Sequence, residues 1–337
     1  MAHLLDINEE GRAAFAFTGD RSQIWHGLGQ QIDPARSTDI DYLIECANLG
    51  WSAVHVPLRY TWKGEERSTN DYGVIRDDTG DQLGVCDPKV RKEVQPREIV
   101  EFFRDFLAEN KLSISTLGAL RGGRIVFALA KLGPEYSFIL PGNDKVDCYV
   151  RLQTSFDSSR STSLAGDTVR QVCANTERLF ETRTQARQYI TRHSQWFDAN
   201  GLQAAFGLLG EQQRITAEAY NKLAQRQVIT EEITKYFCDL LNVTLADFLA
   251  DTLHGRTRNK ITTLLSLYST GPGATLESAS GTAFGLLNAV TRYVDHEAAV
   301  RNVHGGSKAS ARAASAWFGN GAKVKERARE LALALAA

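Results

Sequence analysis

The chain has 337 residues, 43% hydrophobic and 23% charged, with a formal net charge of −1; this balance excludes wholesale disorder and a fibrous repeat, and the length allows a sizeable core. No run approaches the ~18–20 consecutive apolar residues needed to cross a bilayer, and Met1 to Gly11 carries Asp6, Glu9 and Glu10 without an apolar h-region, so a cytoplasmic protein with no membrane contact is expected. Five widely spaced cysteines (Cys46, Cys86, Cys148, Cys173, Cys238) with no CxxC pair disfavour a disulfide framework or a zinc ribbon and fit a reducing compartment.

Ser37 and Thr38 ahead of Ile40, Leu43, Ile44 and Ala47, with Gly50 behind, predict a helix over about 38–49. Val54, Val56, Leu58, Tyr60 and Trp62 alternate as in a half-buried strand, and Pro57, which lacks a ladder donor, places it at a sheet edge. Tyr72–Arg76 and Gln82–Cys86 flank the turn sequence Asp77-Asp78-Thr79-Gly80 and read as a hairpin. Pro96 opens a helix whose Ile99, Phe102, Phe103, Phe106 and Leu107 form one apolar stripe, fit to pack on the neighbouring strands. Leu112–Leu120 and Arg124–Leu132 form a further hairpin around Arg121-Gly122-Gly123.

Cys148, Val150, Leu152, Thr154 and Phe156 alternate with Tyr149, Arg151, Gln153 and Ser155, which predicts one core face and one polar face. A polar loop from Asp157 to Asp167 and a short strand, Thr168–Cys173, follow. From Asn175 the pattern turns helical, with breaks near Asn200-Gly201, Leu241-Asn242 and Ser269 to Ala274. The order implies an α+β fold: a hairpin-rich antiparallel sheet backed by a helix over residues 1–176, then a mainly helical region over 177–337 with a basic C-terminal segment.

Four passages in this order carry a family resemblance. They are Trp25-His26-Gly27-Leu28-Gly29; Leu120-Arg121-Gly122-Gly123-Arg124; Val172-Cys173-Ala174-Asn175-Thr176; and Gly281-Thr282-Ala283-Phe284 leading into Asn288 to His296. Together they resemble the phage/plasmid-like protein family, whose members contain a domain of unknown function; Phe284 stands where a tryptophan is common and Ala174 where an asparagine is common. The resemblance implies a mobile-element protein and carries no settled activity. The element order of the first half is also similar to the single-strand annealing proteins of phage recombination, whose hairpin sheets backed by a helix assemble into rings.

No catalytic motif is recognisable. GxxxxGK[ST] is absent, no HxH, HExxH or HxxxH links any of the seven histidines, and Cys173 reads as a core residue at the end of a strand, so neither catalytic residues, nor a metal, nor a cofactor is expected. Charge is more informative. Residues 1–100 hold 11 Lys and Arg against 17 Asp and Glu, whereas Arg301, Lys308, Arg312, Lys323, Lys325, Arg327 and Arg329 face only Glu326. The candidate nucleic-acid contacts are Arg121 and Arg124 on a hairpin tip, Arg151, Arg160 and Arg170 about the polar loop, Arg178, Arg183, Arg187 and Arg192 along one helical side, and Lys323 and Lys325. These predict a nucleic-acid partner, single-stranded DNA in particular, in a protein able to form a homo-oligomer. The alternative is a scaffold protein that docks a partner through Leu286, Leu287, Val290 and Val294; the bland reading of the same features is a solvated charged face and a core stripe.

Overall fold

The computed structural model describes residues 13–19, 29–87, 89, 93–110, 112–158, 162–170, 175–178, 189–191, 209–300, 311–312, 315–317 and 319–337. Strand β1 (Phe15–Phe17) pairs in parallel with β2 (Gln30–Gln31). Helix α1 (Ile40–Cys46) starts at Asp39, whose carboxylate accepts a hydrogen bond from the Tyr42 amide at 3.1 Å, and ends where Asn48 takes a φ of 52°. The cap is therefore Asp39 and not Ser37 or Thr38, and the left-handed residue that ends the helix is Asn48, ahead of the expected Gly50.

Strands β3 (Ala53–Trp62), β4 (Glu65–Arg76) and β5 (Gln82–Cys86) form a three-stranded antiparallel sheet with β4 in the middle. Pro57 lies on the edge strand, as its missing N–H requires, and the register shifts between Pro57 and Arg59. Only Tyr72 to Ile75 of β4 pair with β5, so the outer parts of β3 and β4 project as a two-stranded ribbon. Helix α2 (Pro96–Glu109) begins with Pro96 in its first turn, and the Gln95 backbone amide ahead of it donates to Glu98 Oε2 at 2.7 Å. Its Ile99, Val100, Phe103, Phe106 and Leu107 are buried.

The larger sheet is built from β6 (Ile114–Leu120), β7 (Ile125–Lys131), β8 (Phe138–Leu140), β9 (Asp144–Ser155), β10 (Thr162–Arg170), β11 (Asn175–Arg178) and β12 (Tyr189–Thr191), joined to β1 and β2. Among the described residues its order is β11-β10-β9-β7-β6-β1-β2, with β12 also on β10 and β8 also on β9; all pairings except β1 with β2 are antiparallel. Helix α2 packs on β7 and β9, as its aromatic stripe implied.

Three expectations change here. Strand β10 begins at Thr162, inside the stretch read as loop, and β11 and β12 stand where helix was expected. The polar face of β9 is not solvated: Arg151 is 1% exposed, and Gln153 and Ser155 are buried with it. On that side of the sheet Phe127 and Leu129 of β7 stand beside them in one cluster with Phe15 and Phe17 of β1, Trp317 packs on Phe127 and lies 5.9 Å from the Arg151 guanidinium, and the polar groups bond to one another.

The remaining elements are helical: α3 (Leu209–Gln225), α4 (Thr230–Leu240), α5 (Leu245–Leu249), α6 (Gly255–Thr270), α7 (Ala283–Arg292) running into a π-helical turn (Tyr293–Glu297), and α8 (Asn320–Leu335). The breaks after α4 and α6 fall at Asn242, with φ of 57°, and at Gly271, as expected; Asn200-Gly201 lies outside the described residues. Leu286, Leu287, Val290 and Val294 are all buried among these helices, so the stripe proposed for docking a partner is core. The fold is α+β.

Sheet and helices meet at a buried ion pair. Arg170 Nε donates to Asp144 Oδ2 at 2.6 Å, Ser278 Oγ donates to the same oxygen at 2.6 Å, and Arg170 Nη2 reaches the Gly273 carbonyl at 3.0 Å. Replacing Asp144 by Asn should destabilise the protein by ~3–5 kcal/mol, because Arg170 would keep its charge in a dry site without a counter-ion. A urea titration of the full chain reads this as a lower midpoint at unchanged slope; an unmoved midpoint would remove the pair from the role given to it.

Candidate functional site

The Arg121-Gly122-Gly123-Arg124 turn joins β6 and β7 through three successive left-handed residues, Arg121, Gly122 and Gly123, with φ of 58°, 68° and 90°. Gly123 has a second reason to be glycine: a Cβ there would lie 3.0 Å from the Trp51 ring and 3.3 Å from an Arg76 guanidinium nitrogen. Arg76 in turn lies 4.6 Å over the Trp51 ring and grips Asp78 through two hydrogen bonds of 2.9 and 2.7 Å. Hydrogen bonding to Arg76 holds the Asp78 carboxyl below its ordinary pKa.

Arg124 ties this turn to the smaller sheet. Its Nη1 donates to the Arg121 carbonyl at 3.0 Å and its Nη2 to the Gln82 carbonyl on β5 at 2.8 Å. Strand β5 in turn approaches the end of β9 so closely that a Cβ on Gly84 would lie 2.3 Å from the Phe156 carbonyl oxygen. Between these elements runs an open groove of ≈ 450 Å³ lined by Gln82, Leu83, Gly84, Val85, Arg121, Arg124 and Asp157. Two guanidinium groups and one carboxylate therefore share one depression, with both arginines half-buried.

The other predicted contacts fare differently. Arg151 is buried, donating to Asp167 Oδ2 at 2.6 Å and to the Gln153 side chain, with Trp317 5.9 Å away. Arg170 is committed to Asp144, and Lys325 is buried against Asp295 Oδ1 at 2.9 Å. These three cations neutralise internal carboxylates and do not form a phosphate-contacting surface, which corrects their assignment. Lys323 is exposed on α8. Arg178 stands on β11 opposite Asp167, its side chain outside the described set. Arg160, Arg183, Arg187 and Arg192 lie outside the described residues, as does Cys173.

What sequence reasoning missed is the ribbon. Tyr60 is 50% exposed and Trp62 55%, at alternate positions on the same face of β3, and Arg67 is the cross-strand neighbour of Tyr60. The Lys63 ammonium lies 5.8 Å over the Trp62 ring. Val54, Val56 and Val85 extend this apolar display along the sheet, at 40%, 45% and 45% exposure. The signal was available: a strand with aromatics at its end and no apolar partners opposite them on Glu65 to Asp71.

No helix among the described residues is long and apolar enough to cross a membrane. Residues 92–317 match the family model described as a domain of unknown function (DUF932), a span that takes in the large sheet from β6 to β12 and most of the helical region and begins after the three-stranded sheet. No curated protein and no solved structure matches the chain.

The groove depends on the close approach of β5 to β9, so Gly84→Ala should both destabilise the protein, by ~1–3 kcal/mol for an overpacked contact, and loosen the Arg124 anchor. Thermal unfolding together with protease sensitivity between Gln82 and Asp87 would register it, and an unchanged melt would contradict the packing described.

Proposed function

The chain belongs to the DUF932 family, and because that membership brings no activity with it, we propose from the geometry of the site that the protein binds nucleic acid, single strands in preference to duplex. The observation that carries the reading is the projecting ribbon, where two exposed aromatic rings on one face stand beside the cations Arg67 and Lys63. Unpaired bases offer π-faces that stack on such rings, at ~1–3 kcal/mol per base, whereas duplex DNA keeps its bases stacked on each other.

Arg67 is paired to Glu65 at 3.2 Å and Arg59 to Glu66 at 3.2 Å, all well exposed. Exposed pairs of this kind contribute ~0–1 kcal/mol, so a phosphate can displace either glutamate at small cost. The groove beside β5 supplies the second element: Arg121 and Arg124 line it and bring positive charge to it, Arg124 while its Nη1 and Nη2 hold the Arg121 and Gln82 carbonyls, with Asp157 limiting how much negative charge is drawn in. A phage- or plasmid-borne protein acting on single-stranded DNA in recombination or replication is the finer form of this reading.

One observation favours a second reading, a protein-docking or self-associating module. Of the large hydrophobic side chains exposed among the described residues, Val54, Val56, Tyr60, Trp62 and Val85 all belong to this one small sheet. Rings that stack bases also pack against a partner.

Binding of labelled single- and double-stranded DNA across a salt series separates the two. The nucleic-acid reading expects log affinity for single strands to fall linearly with log salt, by ~0.7 per phosphate contacted. It expects the Tyr60→Ala, Trp62→Ala double variant to lose about tenfold or more, at ~1–3 kcal/mol for each stacked base, with its melting temperature unchanged. Arg121→Gln with Arg124→Gln should lower the salt slope; an unaltered affinity would remove that groove from the interface. No binding at low salt, with light scattering showing an oligomer that the double variant dissolves, would transfer the ribbon to the docking reading.

A further inference from the structure

We propose that His55, Cys86 and Glu93 form a binding site for one zinc-class divalent transition-metal ion. The three residues come from three separate segments: His55 from the edge strand β3, Cys86 from the end of β5, and Glu93 from the run that leads into α2. Their ligand atoms all lie within 4.8 Å of one another, with Cys86 Sγ 3.4 Å and Glu93 Oε1 3.7 Å from His55 Nε2.

Those spacings suit a shared cation. With Zn–S near 2.3 Å and Zn–N or Zn–O near 2.0–2.2 Å, neighbouring ligands of a tetrahedral shell are about 3.3–3.6 Å apart. The observed separations therefore need a change of only a few tenths of an ångström at the two measured edges.

The geometry also speaks against the other chemistry these residue types suggest. A nucleophile–base–acid relay needs thiol and carboxylate on opposite nitrogens of the imidazole, so that one orients the ring while the other receives the proton. Here both converge on Nε2. Convergence of a sulfur, a nitrogen and a carboxylate oxygen on one point is the arrangement of a first coordination shell.

Burial adds to the case. The Glu93 side chain is 3% exposed and Cys86 is 7% exposed, so a carboxylate sits beside a thiol in a site poor in water. A divalent ion offsets the desolvation of the carboxylate and lets the thiol release its proton to solvent, so that thiolate and carboxylate, which would repel each other alone, both bond to the cation. The soft sulfur and the imidazole select zinc or cobalt over magnesium or calcium, which take oxygen shells. The His55 side chain is 27% exposed, which leaves the fourth position within reach of solvent. The ion would clasp the two outer strands of the small sheet to the start of α2, and the inference stands apart from the nucleic-acid reading.

The test is cobalt substitution of the full chain, stripped with a chelator under reducing conditions and titrated with Co²⁺. One equivalent should raise a sulfur-to-cobalt charge-transfer band in the near ultraviolet together with tetrahedral d–d bands, and one equivalent of Zn²⁺ should abolish both. Cys86→Ser should lose the charge-transfer band, and His55→Ala and Glu93→Gln should each weaken Zn²⁺ binding by at least ~10–100-fold, the loss typical of even outer-shell partners. His55 is partly exposed, so its variant keeps the test open if the buried substitutions disturb folding. A wild-type protein without the bands, or bands that persist in Cys86→Ser and so belong to another cysteine, would overturn the proposal.

Discussion

The Arg170–Asp144 pair is the constraint on which the arrangement of sheet and helices depends. Both side chains are almost fully buried, and the pair is completed by Ser278 and the Gly273 carbonyl, more than one hundred residues further along the chain. Burying two charges costs several kcal/mol per ion unless their geometry and remaining hydrogen bonds are well satisfied. The satisfying groups here come from the loop that precedes α7, so a sheet without its helices would leave the pair incomplete. Phe284, at the start of α7, lies 5.4 Å from the guanidinium and closes the site. Strand pairing, loop position and helix docking are thus coupled through one buried contact, with Thr168 and Tyr220 adding a further hydroxyl contact of 3.5 Å between β10 and α3.

The same economy explains which parts of the protein could be read from its sequence. Period-two and period-3.6 patterns identified β3, α2, the β6–β7 hairpin and β9, but only α2 buries its apolar face in the simple way: β7 and β9 are buried on both faces, and on β3 the alternating Val54, Val56, Tyr60 and Trp62, expected to face the core, are the exposed set. The misreadings of polar residues share one cause. A polar residue on a strand is taken to face water, but Arg151, Gln153, Ser163 and Asp167 are buried and satisfy one another. The first part of strand β10, with Ser163 and Asp167 in it, looks like loop for the same reason. Counting basic residues likewise cannot distinguish a cation aimed at solvent from one paired inside, which is why Arg151, Arg170 and Lys325 were misplaced while Arg121 and Arg124 were located on a groove. The His55–Cys86–Glu93 cluster left no local trace at all, since its members sit at no ligand spacing and only the sheet brings them together.

With the internal cations accounted for, the three-stranded sheet carries five of the eight large hydrophobic side chains exposed among the described residues, the others being Ile139, Ile229 and Leu249. This sheet precedes the segment that matches the family and is joined to the rest of the protein by packing at Gly84 and by Arg124. A large sheet buried on both faces is a stiff platform; a small sheet with one exposed face and a free ribbon is suited to contact something else.

Edge strands need protection, and β3 has it in only part of its length. At Ala53 the Gln95 side chain takes the place of a neighbouring strand, accepting from the Ala53 amide at 2.8 Å and donating to its carbonyl at 3.1 Å. Pro57 removes a donor and the register shift beside it bends the ladder, two devices that discourage uncontrolled pairing. Beyond Pro57 the ribbon carries neither a covering element nor a single sign of charge: Arg59 pairs with Glu66 and Arg67 with Glu65, while Tyr60 and Trp62 remain exposed. An apolar edge left exposed by oversight would invite aggregation. One blunted by proline and a register shift at its base, with ion pairs of both signs at its tip, is guarded against indiscriminate strand addition while its rings stay exposed.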